Sequence, residues 1–144
     1  MPRVDVWDIA PDQSKQPLSC GFKPGLEHDY ELGEELGVGG FGRVCVVRER
    51  SRRTEYACKS VAKRLEVPNV SVRQQEQHLE TLKREIAILR KLRGMLNVVW
   101  LADVREDETH VHIVMEWCRG GELIHRIGRR HYSEKTVGVP HICF

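Results

Sequence analysis

The chain has 144 residues, of which 31% are charged, and a formal net charge of +2 at neutral pH. The length fits one domain, and the basic runs lack interleaved aromatic residues, so nucleic-acid binding is not expected. No run of about eighteen apolar residues is present to predict a membrane span. The five cysteines show no paired spacing and indicate reduced thiols in a cytoplasmic protein.

The first segment, residues 1–29, contains four of the six prolines among polar residues. This composition predicts an extended arm.

Residues 36–44 (Leu-Gly-Val-Gly-Gly-Phe-Gly-Arg-Val) contain a G-x-G-x-x-G pattern, which dinucleotide-binding and kinase folds share. In a dinucleotide fold the glycines open a helix. Here residues 43–48 are rich in β-branched residues and predict a strand. The glycines are therefore expected at the tip of a β-hairpin, where the backbone can approach phosphates with no Cβ in the way. This favours a nucleoside triphosphate over NAD.

Residues 56–61 form an apolar run that contains one lysine, Lys59. Two interpretations stay open for it. A lysine in a strand usually faces solvent, but Lys59 could instead lie under the glycine hairpin and contact phosphate oxygens as a point charge.

A long helix is predicted over residues 71–93. Ser71 and Gln74 have the spacing of a capping box. Leucine and isoleucine side chains then recur at spacings of three and four, at Leu79, Leu82, Ile86 and Leu89. Glu85 falls on this apolar face, where a carboxylate needs a cationic partner, and Lys59 is the candidate. Alternatively, Glu85 lies at the edge of the stripe and reaches water.

Residues 110–118 predict another strand, followed by a Gly-Gly connector. His110 and His112 alternate along it and are expected at the surface rather than as metal ligands.

Together these segments resemble the N-terminal lobe of a protein kinase. Residues 30–137 are similar to the calcium/calmodulin-dependent and plant-type calcium-dependent Ser/Thr protein kinases, notably over residues 56–60, 120–123, 126–127 and 131–136. The resemblance implies an α+β fold, a five-stranded antiparallel sheet with one long helix, with the C-lobe essentially absent. The implied divisions are an extended N-terminal arm (1–29), the kinase N-lobe and hinge (30–118), the start of the C-lobe (119–137) and an atypical tail (138–144).

The same resemblance implies an ATP site. The residues implied to contact the nucleotide are Leu36, Gly37, Val38, Gly39, Gly40, Phe41, Gly42, Val44, Ala57, Lys59, Met115, Glu116, Cys118 and Glu122. Lys59 would hold the α- and β-phosphates and pair with Glu85, and these two are the implied catalytic residues.

Further roles are implied for other positions of this set. Val44 and Ala57 would pack on the adenine, and Met115 would be the gatekeeper at the back of the pocket. The backbone of Glu116 and Cys118 would bond the adenine edge. Glu122 would reach the ribose. Outside this set, Leu89 and Leu101 would join an apolar spine, and residues 65–70 would be an extra loop.

The sequence contains no H-R-D, D-F-G or A-P-E motif. Phosphoryl transfer needs a carboxylate to orient the attacking hydroxyl and Asp and Asn side chains to hold Mg²⁺, so no metal ligand is assigned. We therefore expect the ATP-binding part of a kinase that transfers the γ-phosphate to protein Ser/Thr hydroxyls, lacking catalysis by itself.

Two alternatives remain, a catalytically dead N-lobe that binds nucleotide or docks onto a partner, and a non-kinase α+β module. The protein substrate is not specified. Calcium regulation would follow from the family, although no EF-hand loop is present.

Overall fold

The computed structural model describes residues 17–40 and 42–120. Its elements are α1 (Leu26–Asp29), β1 (Tyr30–Gly39), β2 (Gly42–Glu49), β3 (Glu55–Ala62), α2 (Val72–Lys91), β4 (Leu101–Glu106) and β5 (His110–Glu116). The strands form one antiparallel sheet in the order β1-β2-β3-β5-β4. This confirms the α+β fold, with a five-stranded antiparallel sheet and one long helix.

The glycine-rich segment forms the predicted hairpin. Strands β1 and β2 meet at their tip, where Gly39 pairs with Gly42. Gly42 has a φ of +118°, and a Cβ at this position would lie 2.2 Å from the Ser60 carbonyl oxygen. Glycine is therefore required there both by the backbone conformation and by the close approach of β3.

Helix α2 begins at the predicted capping box. The Ser71 hydroxyl accepts a hydrogen bond from the Gln74 amide, and the Gln74 side chain accepts one from the Ser71 amide. These bonds satisfy donors that a helix start otherwise leaves unpaired. Leu82 and Ile86 are buried, which confirms the apolar face.

The sheet has apolar clusters on both of its faces. The cluster on the side of α2, here called the helix face, comprises Ala57, Leu82, Ile86, Val99, Leu101, Val104, Val111, Ile113 and Met115, with Leu89 packed against it. The opposite side, the rear face, is formed by Tyr30, Val47, Cys58 and Val114. Because side chains alternate along a strand, Ala57 and Lys59 share the helix face, and Cys58 and Ser60 share the rear face.

His112 departs from its predicted surface position. Its side chain is only 14% exposed and lies between Ser60 Oγ, 2.7 Å from Nδ1, and Asp107 Oδ2, 2.8 Å from Nε2. The surface interpretation was wrong for His112 because these polar neighbours satisfy both ring nitrogens while the ring is mostly covered.

Several sequence predictions lie outside the described residues. They concern Phe41, Glu122, residues 1–16 and 121–137, and the tail 138–144. The boundaries between the proposed parts of the chain stay predictions. Neither described helix is both long and apolar enough to cross a membrane.

Candidate nucleotide-binding site

An ion pair joins the sheet to the long helix. Lys59 Nζ lies 3.1 Å from Glu85 Oε1. The Lys59 side chain is 16% exposed, whereas that of Glu85 is 46% exposed. Each of the two interpretations of Glu85 therefore holds in part, since it pairs with Lys59 yet lies at the edge of the apolar stripe, in contact with water.

The strand pairing places Lys59 close to the glycine hairpin. Lys59 is directly opposite Val44 on β2 and Ile113 on β5. Val44 comes two residues after Gly42, the last glycine of the pattern. Lys59 thus extends from the helix face near the glycine tip of the hairpin, on the side where α2 lies.

The first two glycines of the pattern differ from the third. A Cβ added at Gly37 or Gly39 would meet no atom of residues 17–40 and 42–120 within 4 Å, and the same holds for Gly40. The protein's own packing therefore does not require glycine at these positions. The open space beside the backbone is what a phosphate chain would need.

An apolar wall lies next to this hairpin. Ala57 and Met115 are buried, are paired across β3 and β5, and belong to the helix-face cluster. Val44 is half-buried and packs against the same cluster. These three side chains form a continuous surface on the side of the sheet that also carries Lys59.

The remaining predicted contacts lie around this wall. Leu36 and Val38 on β1 are exposed, at 42% and 67%. Glu116 ends β5, and its amide donates to the Trp100 carbonyl. Cys118 lies just beyond and packs against the helix-face cluster. Leu101 is in that cluster and Leu89 packs against it, as expected for the apolar spine.

Sequence reasoning missed the residues that hold α2 against β3. The Gln75 side chain donates to the Lys63 carbonyl and accepts from the Leu65 amide. The His78 ring lies 2.8 Å from the Ala62 carbonyl. Polar residues on the first turns of a helix usually face water, so the sequence carried no signal for these contacts.

A second missed feature is a buried ion pair. Lys63 and Glu106 are 2% and 8% exposed, with 3.0 Å between Nζ and Oε2. Burial raises the pKa of Glu106, but hydrogen bonds from the Cys20 amide and the Lys63 ammonium outweigh it, and the pKa is lowered overall. The carboxylate therefore stays ionised in the folded chain at neutral pH.

The described residues fit a nucleotide better than a metal ion. The open glycine backbone and the nearby ammonium group of Lys59 match a phosphate chain. The apolar wall matches adenine. Among residues 17–40 and 42–120, no group of three His, Cys, Asp or Glu side chains could hold a metal ion. The site therefore fits ATP, and these residues offer no set of Mg²⁺ ligands of their own.

Comparison with known proteins agrees with this class of fold. The family model described as protein kinase domain matches residues 30–140, and the chain belongs to the protein kinase family.

Three curated relatives illustrate the similarity. The chain is 42% identical over 129 residues to "Calcium-dependent protein kinase 26" of Arabidopsis thaliana, which covers 83% of this chain and 25% of the relative. It is also 42% identical to "Calcium-dependent protein kinase 13" of Oryza sativa subsp. japonica, with 83% and 22% covered. It is 44% identical over 113 residues to "Calcium-dependent protein kinase 25" of Arabidopsis thaliana, with 78% and 20% covered. The chain thus spans about a quarter or less of these relatives' length.

Proposed function

We propose that this chain binds ATP as the nucleotide-binding part of a Ser/Thr protein kinase. The observation that carries the proposal is the Lys59–Glu85 ion pair of 3.1 Å beside a glycine hairpin whose backbone is open at Gly37 and Gly39. In a protein kinase, such a lysine contacts the nucleotide phosphates and such a glutamate orients it.

Each part of the site has a distinct task in this proposal. The hairpin amides and Lys59 bind the phosphates, and Val44, Ala57 and Met115 contact the adenine. The backbone of Glu116 and Cys118 bonds the adenine edge, which places no demand on their side chains.

Phosphoryl transfer needs more than this site. It requires a carboxylate to orient the hydroxyl of the substrate and ligands for Mg²⁺, and the sequence has no H-R-D or D-F-G motif to supply them. We therefore propose that the chain by itself holds ATP without transferring its γ-phosphate.

We also propose a substrate preference, a calcium dependence and a cellular location for the chain. Preference for Ser/Thr hydroxyls is supported by the resemblance to Ser/Thr kinases, and a dependence on calcium by the names of the relatives, which are called calcium-dependent protein kinases. A cytoplasmic location is supported by Cys20, Cys45 and Cys58, which form no disulfide.

Calorimetric titration of the chain with ATP, with and without Mg²⁺, tests nucleotide binding. Lys59→Met keeps most of the side chain's length and removes its charge. Hydrogen bonds to charged groups contribute about 1.5–3 kcal/mol, so we expect binding at least about tenfold weaker. The matched control is Lys91→Met, in the last turn of α2, which should leave affinity unchanged. Wild-type protein that binds no ATP, or binds it as well as Lys59→Met does, would contradict the proposal.

Exposed apolar residues near the end of α2 favour a second candidate function, docking onto a protein partner. Ile88, Met95 and Leu96 are 49%, 59% and 95% exposed, and exposed apolar side chains of this size can take part in an interaction site. Leu96→Asp should then reduce association of the chain in sedimentation experiments and leave the ATP titration unchanged. Unaltered association would count against docking through this surface.

A further inference from the structure

The segment ahead of the sheet is anchored to β4 by one carboxylate. Glu106 accepts hydrogen bonds from three consecutive backbone amides, those of Cys20 (2.8 Å), Gly21 (3.1 Å) and Phe22 (3.2 Å). The Ser19 hydroxyl donates a fourth, at 3.1 Å. Residues 19–22, here called the strap, therefore wrap around a single buried acid.

Lys63 completes this anchor. Its ammonium group lies 3.0 Å from Glu106 Oε2 and donates to the Leu18 carbonyl at 2.7 Å and to the Asp107 carbonyl. Both charges of the pair are thus surrounded by hydrogen-bond partners, as a buried ion pair requires. Glu106 also donates its backbone amide to the Lys23 carbonyl, at 3.0 Å, so the strap continues along β4, at the edge of the sheet.

The strap also contacts α2. Cys20 and Phe22 pack against the helix-face cluster, which includes Leu82 and Ile86. The Arg90 guanidinium lies over the Phe22 ring, 5.4 Å from its centroid. This cation–π contact joins the strap to the last turn of the helix.

Cys20 lies near the same side of the helix. Burial and the charge of Glu106 raise the pKa of Cys20, while Lys63 and Lys83 act in the opposite direction. The contact between Phe22 and Arg90 places the strap beside the last turn of α2.

The two halves of α2 are held by different parts of the chain. Gln75 and His78 bond the carbonyls of Lys63 and Ala62, at and just after the end of β3, while the strap contacts the last turn through Phe22 and Arg90. Glu85 lies between these attachments. Its ion pair with Lys59 spans β3 and α2, so its length depends on how the helix sits on the sheet.

We propose that the strap positions α2 and thereby keeps Glu85 within reach of Lys59. Glu106 anchors the strap to β4, and Phe22 contacts the helix. Phe22 and Glu106 are positioning residues in this scheme, because neither touches the nucleotide site. The effect on ATP affinity rests on the proposed function, whereas the effect on the helix does not.

Hydrogen exchange of the full chain, measured by mass spectrometry, tests the helix directly. In Phe22→Ala we expect amides of residues 82–91 to exchange at least several-fold faster, while the β2–β3 pairing keeps its protection. Phe22→Leu retains apolar volume and should restore most of the protection. Val67→Ala, at a position 60% exposed, is the control and should change nothing. Unaltered exchange over residues 82–91 in Phe22→Ala would overturn the proposal.

A milder variant covers the case in which Phe22→Ala unfolds the whole chain. Ser19→Ala removes one bond to Glu106 and leaves its pairing with Lys63 in place, so a smaller increase confined to residues 82–91 is expected. An increase spread equally over the sheet would overturn the proposal.

A parallel ATP titration separates the two proposals. Weaker ATP binding in Phe22→Ala together with faster helix exchange supports both. If wild type binds no ATP while the helix still responds to Phe22→Ala, the proposed function fails and the strap's role in positioning α2 stands.

Discussion

Lys59 and Glu85 are 26 residues apart in the chain and meet at 3.1 Å across the gap between β3 and α2. The lysine is mostly covered, and the glutamate is about half-exposed. A pair with one partner in water gains little Coulomb energy. We therefore infer that the pair matters more for positioning the Lys59 ammonium group than for stabilising the fold.

We expect Glu85→Gln to weaken ATP binding while leaving the stability of the fold nearly unchanged. The free energy of unfolding should change by no more than about 1 kcal/mol, the range of solvent-exposed ion pairs, whereas ATP affinity should fall because Lys59 loses its orienting partner. Urea unfolding and an ATP titration on the same preparation measure the two quantities. A large loss of stability with unchanged affinity would show that the pair is structural.

The glycines of the hairpin should respond differently to alanine. Gly42→Ala places a Cβ 2.2 Å from the Ser60 carbonyl oxygen, at a φ of +118°, so it should destabilise the fold by at least about 1–3 kcal/mol. Gly37→Ala meets no atom within 4 Å in the described part of the chain and should leave the unfolding midpoint nearly unchanged while weakening ATP binding.

Thermal unfolding and ATP titration of both variants check this contrast. Gly40→Ala, which also meets nothing within 4 Å, tests whether all open positions of the hairpin matter equally. Equal destabilisation by Gly37→Ala and Gly42→Ala would contradict the distinction between packing and ligand space.

The start of α2 offers a test of local stability. Ser71→Ala removes the side chain that accepts from the Gln74 amide and should cost about 1 kcal/mol. Thr81→Ala is a suitable control, because Thr81 bonds only the Gln77 carbonyl within the helix and alanine has the higher helix propensity. Denaturant unfolding compares the two variants, and an equal loss in both would argue against the cap.

Acid should weaken the fold through Glu106. Because the pKa of Glu106 is lowered from its ordinary value of 4.5, its contribution to stability is complete above that value and is lost as pH falls through the folded-state pKa. We expect the free energy of unfolding to decline on acidification below about pH 4.5, with a shallower slope in Glu106→Gln.

Urea unfolding at several acidic pH values gives both slopes. Glu66→Gln, at an exposed position, serves as the control and should retain the wild-type slope. Identical slopes in wild type and Glu106→Gln would contradict the assignment to this carboxylate.

The parts of the structure that the sequence predicted are local. The capping box at Ser71 and Gln74 and the change from glycines to β-branched residues after Gly42 each involve residues close together in the chain. Hydrophobic spacing likewise located the buried face at Leu82 and Ile86. Such signals act over a few residues, and so a single sequence displays them.

The parts that were missed depend on long-range contacts. Glu106 bonds Cys20 across 86 positions of sequence, and nothing near either residue indicates the other. Helical spacing placed Glu85 on the apolar face of α2 but did not predict how exposed its side chain is. That exposure depends on how far the sheet extends beneath the helix. For the same reason His112 was expected at the surface, although Ser60 and Asp107 enclose it.

Nuclear magnetic resonance of the backbone amides during an ATP titration tests directly whether the nucleotide binds at the glycine hairpin beside Lys59. We expect chemical-shift changes on ATP addition at the amides of Gly37, Gly39, Lys59 and Cys118, with little change on the rear face around Tyr30 and Asp103. No shift change at the hairpin, or changes confined to the rear face, would contradict nucleotide binding at this site.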